Sequence, residues 1–204
     1  MKPVIIDTGY ANILSIKRAV EFLGFTPTVT NDPLEISKGE YLILPGVGAF
    51  EHVMKHIKNL QIDEAIKEAL SNPISRILGI CLGLQLLADS SEEGEYEPGL
   101  GLIEGVSKKI SSIGEIKVPH VGFNSIVQTR DSLLLQEIPI DLNYYFVHSY
   151  ALTPENTPST VAITNYGQQI TSVIEHESRI FGTQFHPEKS QKIGLKIISN
   201  FFKQ

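Results

Sequence analysis

A chain of 204 residues, 42% hydrophobic and 20% charged, has the length and mix of one folded domain spanning residues 1–204 with a sizeable core. Its net charge of -6, with Lys and Arg scattered, argues against a nucleic-acid partner, and no apolar run approaches the roughly 20 residues of a membrane span. A single cysteine excludes an internal disulfide, and the N-terminus shows no charged region followed by a long apolar one, so no signal peptide is expected and the cytoplasm is the expected location.

Val4-Ile5-Ile6 reads as a first buried strand, and residues 7–12 follow as a loop. Ile13, Ile16, Val20 and Leu23 then share one face of a helix that Gly24 closes. Residues 26–30 and 41–44 read as the second and third strands, an order that suits a parallel sheet with crossover helices. Pro45-Gly46-Val47-Gly48-Ala49-Phe50 leads from the third strand into a helical stretch at 49–70, with a break near Leu60. His52 and His56 lie four apart on it, but without His-Glu-x-x-His or a third ligand they read as solvated surface histidines, not a metal site. A fourth strand at 75–80 leads into a short helical run at 84–88, and residues 89–101, rich in Glu and Gly, read as a surface loop. From residue 115 the pattern changes to closely spaced β-rich runs, at 115–118, 124–128, 144–148, 160–165, 170–175 and 179–185. Asn165-Tyr166-Gly167 and His176-Glu177-Ser178 are expected hairpin turns, and a helix at 190–202 closes the chain with Ile193, Ile197, Ile198 and Phe201 inward. The fold class that follows is α/β: an open, mostly parallel central sheet flanked by helices, with an antiparallel extension in the C-terminal half.

The fourth strand ends in Gly79-Ile80-Cys81-Leu82-Gly83, the pattern of a nucleophile elbow. Small neighbours let Cys81 occupy a sharp turn between strand and helix, and the first amides of the helix favour a thiolate. A cysteine nucleophile needs a base, and the base needs a group that holds its orientation. His186 suits the first role and Glu188 the second. Both lie just past the last strand, and in extended backbone the i, i+2 spacing projects them to the same side. Oxyanion donors are expected from the N–H of Leu82 and from Val47, whose flanking Gly46 and Gly48 let its peptide turn.

The elbow Gly79-Ile80-Cys81-Leu82-Gly83-Leu84-Gln85 together with Phe185-His186-Pro187-Glu188 resembles the class I, triad glutamine amidotransferases. Three further blocks, at 45–50, 118–124 and 145–150, with residues 6–12 and Lys189, narrow the resemblance to the glutaminase subunits of imidazole glycerol phosphate synthase, over essentially the whole chain. The resemblance implies a glutaminase with Cys81, His186 and Glu188 catalytic. Gly48, Gln85 and the segment His148-Ser149-Tyr150 would hold glutamine; for Gln85 this reading stands ahead of a merely solvated side chain, whereas His148 and His120 read equally as satisfied core histidines. It implies a heterodimer with a cyclase partner of TIM-barrel fold that receives ammonia through an internal passage, with Asn12, Phe123, Tyr145 and Lys189 on the facing rim. The joint reaction would turn glutamine and phosphoribulosyl-formimino-AICAR-phosphate into imidazole glycerol phosphate, AICAR and glutamate, a step of histidine synthesis, with no cofactor or metal. The family usually carries Met and Trp where this chain has Val121 and Phe123. Three alternatives remain: another amidotransferase subunit with the same triad, such as those serving pyridoxal phosphate or anthranilate, against which the blocks at 118–124 and 145–150 argue; a paralogue feeding ammonia to a sugar-modifying enzyme, which would carry the same motifs; and a non-catalytic regulatory relative, against which intact Cys81, His186 and Glu188 argue.

Overall fold

The computed structural model describes residues 2–94, 97–112, 116–139, 142–155 and 157–204. Along the chain run β1 (Pro3–Ile6), α1 (Ile13–Phe22), β2 (Thr28–Thr30), α2 (Pro33–Ile36), β3 (Tyr41–Gly46), α3 (Phe50–Asn59), α4 (Ile62–Ser71), β4 (Arg76–Cys81), α5 (Leu82–Leu86) and β5 (Ala88–Ser91). There follow β6 (Glu97–Pro98), β7 (Ile103–Lys109), β8 (His120–Ser125), β9 (Val127–Gln128), β10 (Asn143–His148), β11 (Tyr150–Pro154), β12 (Thr160–Asn165), β13 (Gln169–His176), β14 (Ile180–Thr183) and α6 (Gln191–Phe201).

An eight-stranded sheet has the order β2-β1-β3-β4-β14-β13-β12-β9. The strands from β2 to β14 pair in parallel, and β13, β12 and β9 continue the sheet antiparallel. Both faces of the parallel part are covered, so β1, β3 and β4 are apolar over nearly their whole length and split their side chains between two cores with the period of a strand. Leu42 and Leu44 of β3 join Val4, Ile6 and the inner faces of α3 and α4. Tyr41 and Ile43 join Ile5 and the inner faces of α1 and α6, where Ile197, Ile198 and Phe201 are fully buried. The expected break near Leu60 is the gap between α3 and α4, where Gln61 takes a left-handed conformation, φ 58°. Glu177 and Ser178 both have positive φ, as a tight hairpin turn from β13 to β14 requires.

Beside this sheet stand a four-stranded sheet, β11-β7-β5-β6, and the antiparallel pair β10-β8. The expected surface loop at 89–101 therefore needs correction, because it carries the end of β5 and all of β6. Nor does the helical run reach residue 88: α5 stops at Leu86 and Ala88 opens β5. These strands bury small and polar side chains, Ser90 and Ser91 in β5 and Ser107 in β7, so no apolar alternation announces them. The run at 115–118 is not a strand either. Residues 116–118 lie outside any strand, residue 115 lies outside the described residues, and pairing begins at His120, after Pro119, which has no N–H for a ladder. The run at 124–128 is interrupted at Ile126, because β8 and β9 belong to different sheets.

Candidate active site

Cys81 is the last residue of β4 and the cap of α5, with φ 56° and ψ -110°. That conformation is strained for any side chain, and it aims Sγ out of the end of the sheet. Gly46 of β3 lies directly opposite it in the parallel register, and on the other side Thr183 of β14 lies opposite Ile80. Two glycines permit the turn. A Cβ on Gly83 would stand 1.8 Å from the carbonyl oxygen of Leu44, and one on Gly79 would stand 2.7 Å from that of Gly83. The elbow is thus folded tightly onto β3, and backbone stands where those side chains would be.

His186 follows β14 by three residues. Phe185 anchors the segment against Tyr144 and Phe146, at ring separations of 4.4 and 5.6 Å. The His186 N–H donates to the Tyr145 carbonyl at 2.9 Å, and Ser190 Oγ donates to the His186 carbonyl at 2.7 Å. His186 Nδ1 lies 2.8 Å from Glu188 Oε1, both side chains being almost wholly buried. This pairing does not run along an extended strand, as the spacing suggests. Residues Pro187–Lys189 form a 3-10 turn, which brings Glu188 back under the ring. The other ring nitrogen, Nε2, is buried and has no aligned hydrogen-bond partner among the described residues. Burial alone would lower the pKa of His186, but interactions with Cys81 and Glu188 outweigh it and raise it to about 9. Cys81 therefore acts on the ring electrostatically without a well-aligned bond to Nε2.

Cys81 opens into a cavity of about 310 Å³. Val47, Gly48, Leu82, Gln85, His148, Ser149 and Tyr150, all singled out in the sequence, line it. So does Glu93, which sequence reasoning missed, since it sits in the Glu-rich run read as loop. Its Oε2 accepts from the N–H of Phe50, the first residue of α3, at 2.8 Å. Of the expected oxyanion donors, Leu82 occupies the first position of α5, where an N–H has no intrahelical acceptor. The N–H of Val47 is engaged elsewhere: it donates to the Tyr10 carbonyl at 2.8 Å.

The polar floor of the cavity is a connected network. Gln85, 4% exposed, donates through Nε2 to the Tyr150 carbonyl at 2.7 Å and to Gln184 Oε1 at 3.1 Å; it is buried, not solvated. Its Oε1 accepts from Ser107 Oγ at 3.4 Å. His148 Nδ1 lies 2.9 Å from the same Tyr150 carbonyl, so Nδ1 carries the proton and Nε2 is an acceptor. His120 Nδ1, 3.1 Å from that Nε2, is then the donor, and His120 Nε2 accepts from Asn124 Nδ2 at 3.4 Å. Both imidazoles are neutral. Burial pushes each pKa down to about 4, in His148 against the opposing effect of the Tyr150 carbonyl.

Of the expected rim residues, three come together. Phe123 of β8 pairs across the ladder with Tyr145 of β10, their rings 5.5 Å apart, and Lys189 Nζ lies 5.5 Å from the centre of the Tyr145 ring. The Tyr145 ring in turn lies 6.3 Å from that of His186. Val121 and Phe123 are both more than half exposed, on one face of β8. Asn12 is exposed at the start of α1. His52 is exposed as expected, but His56 is half-buried, edge-on to Tyr10 at 5.6 Å.

Comparison with known proteins shows the family of the chain. The family model for glutamine amidotransferase class-I matches residues 4–204. The imidazole glycerol phosphate synthase subunit HisH of Moorella thermoacetica is 42% identical over 202 residues, covering 98% of this chain and 94% of that one. The HisH of Yersinia pseudotuberculosis is 40% identical over 201 residues, covering 98% of each. Among solved structures, PurLQS from Thermotoga maritima superposes with a TM-score of 0.74 at 18% identity, over 99% of this chain and 97% of that one. A glutamine amidotransferase from Thermotoga maritima gives 0.67 at 16% identity, over 100% and 81%. With an elbow cysteine beside a buried His–Glu pair and a match that runs from residue 4 to residue 204, this chain belongs to the class-I glutamine amidotransferases, within the HisH family of imidazole glycerol phosphate synthase subunits.

Proposed function

We propose that this chain hydrolyses glutamine and passes the ammonia to a cyclase subunit that makes imidazole glycerol phosphate and AICAR in histidine biosynthesis. The observation that carries the reading is the placement of Cys81, at positive φ, between the buried His186–Glu188 pair and the cavity. The Cys81 thiolate adds to the side-chain carbonyl carbon of glutamine. The resulting oxyanion is held by the Leu82 N–H and, once its peptide has turned, by that of Val47. His186, charged at neutral pH, gives its Nε2 proton to the departing nitrogen as the C–N bond breaks, releasing ammonia and leaving a thioester. Neutral His186 then takes a proton from water. The hydroxide adds to the thioester, the C–S bond breaks, and glutamate leaves with the thiolate–imidazolium pair restored. Glu188 holds the ring by its Nδ1 throughout.

The cavity suits the amino-acid end of glutamine. Both hydrogens of the Gln85 amide are spent, so it presents Oε1, an acceptor, and Glu93 adds a carboxylate. Two acceptors favour the ammonium group, with the Gly48 and residue 148–150 backbone left for the carboxylate and chain. The relatives' names make them subunits of a synthase. The exposed Val121–Phe123 face, continuous through Tyr145 with His186, is the surface we assign to the cyclase subunit. The test is glutamate release from glutamine by the full chain mixed with that partner. Steady release with ammonia incorporated into the product is expected; no release under any pairing overturns the reading.

A further inference from the structure

The sequence marks Gln184 only as a residue before the His-Pro-Glu turn, and the hydrolysis steps give it no task. It is fully buried, and its main chain is fixed to β13 by an N–H bond to the Ser172 carbonyl at 2.9 Å. Its side chain lies between Gln85 and Cys81, with Nε2 3.8 Å from Cys81 Sγ.

Which end of that carboxamide faces the sulfur is settled by the neighbours. The Tyr150 carbonyl can only accept, and it already receives His148 Nδ1. The Gln85 atom 2.7 Å from it must therefore be the amino nitrogen. The second hydrogen of that nitrogen points to Gln184 at 3.1 Å, so the Gln184 atom there must be Oε1. Nε2 is left for Sγ. Reversing Gln184 alone would set two amino groups against each other at Gln85. Reversing both would set the Gln85 oxygen against the Tyr150 carbonyl.

The other protein groups on the sulfur behave differently. Val147 offers a carbonyl at 3.8 Å, which can hold a thiol hydrogen but repels a thiolate. His186 gains and loses its proton within each turnover. Gln184 supplies an N–H that does not titrate, and both it and Cys81 are buried, where such a bond to a charged atom counts most. We propose that Gln184 is a further catalytic residue: its carboxamide N–H donates to Cys81 Sγ and stabilises the thiolate, and Gln85 is a positioning residue that fixes the orientation of that carboxamide. The inference rests on the glutaminase reading for its purpose but not for its test.

Cys81 is the only thiol in the chain, so alkylation by iodoacetamide reports on it alone. The rate is measured against pH on the full chain without glutamine. Gln184→Met keeps the volume and removes the donor; its inflection is expected to move up by about one pH unit, so that on the acid limb below the parent's inflection the alkylation rate falls about tenfold. Gln85→Met leaves Gln184 free to turn, and a smaller shift in the same direction is expected. If Gln184→Met lacks the native circular dichroism and melting transition, Gln184→Asn decides, since it keeps a buried amide but draws it back from the sulfur. Profiles that superimpose on the parent in the folded variant overturn the proposal. A parent enzyme that turns over glutamine while these profiles coincide leaves the glutaminase reading standing. Shifted profiles in a protein that never hydrolyses glutamine do the reverse.

Discussion

The amide of Val47 is bonded to the carbonyl of Tyr10, 2.8 Å away, across the gap between the β3 end and the loop before α1. The N–H proposed above as an oxyanion donor is thereby committed to another part of the chain. Gly48, with φ 99°, and Gly46 flank this peptide, so its rotation costs little once the Tyr10 bond is given up. Tyr10 and Val47 are both partly exposed, at 41% and 40%, so a partner seated there can reach both. The isolated chain is expected to hydrolyse glutamine about a hundred- to a thousand-fold more slowly than the complex, the usual cost of one missing oxyanion donor. Steady-state glutamate release with and without the cyclase partner checks this; a difference of only a few-fold places the control elsewhere.

Cys81→Ser separates the two half-reactions. Glutamine-dependent synthesis by the complex should vanish, whereas synthesis from added ammonium should continue at the parent rate, because only hydrolysis uses the sulfur. Loss of both would mean that the substitution disturbs assembly. Product formation with each nitrogen source, measured in parallel, decides between them.

Gly83→Ala tests how closely the elbow is folded on β3. The new methyl would meet the backbone oxygen of Leu44 at 1.8 Å, and backbone cannot step aside as a side-chain tip can. A loss of about 3 kcal/mol is expected, at the upper end for an overpacked core. In a chain of this size that lowers the melting temperature by several degrees, and the glutaminase rate should fall with it as the elbow shifts. A melting curve that coincides with the parent would show that the elbow has room the structure does not display.

The histidines set opposing pH limits. His120 and His148 have folded pKa values of about 4, below the unfolded value, so the unfolded chain binds protons that the folded one refuses. Stability should fall as pH drops from about 6.5 towards 4. His186 behaves in the other sense: at about 9 its folded pKa lies above the unfolded value, and its contribution is lost as pH rises from about 6.5 through 9. Melting temperatures between these limits should peak near neutrality. His148→Gln should flatten the acid side and leave the alkaline side unchanged.

The parts legible in the sequence are those where one residue type is demanded by local geometry. Gly79 and Gly83 announce the elbow because no other residue fits, and the strands β1, β3 and β4 are legible because both faces are buried. The strands β5 and β7 were hidden because their inward positions carry Ser90, Ser91, Gly105 and Ser107, which give no apolar period. His186 and Glu188 were paired from spacing, yet the backbone joins them by a turn and not by a strand, since Pro187 can also open a 3-10 helix. Glu93 and Gln184 were out of reach for another reason. What gives each its place is a contact with a distant stretch, Phe50 in one case, Gln85 and Cys81 in the other.

Cys81 stands in backbone that only glycine adopts without cost, and that strain is withdrawn from the thermal stability of the whole molecule. Ordinarily Ala is the more stabilising of the two small residues, because it restricts the unfolded chain. Here the order should invert. Cys81→Gly should melt at a higher temperature than Cys81→Ala, since both lose the sulfur but only glycine relaxes the turn. The gap between their melting temperatures measures how much heat tolerance this fold gives up to keep a side chain at the proposed nucleophile position, and lineages living at higher temperature would have to recover that margin elsewhere in the chain.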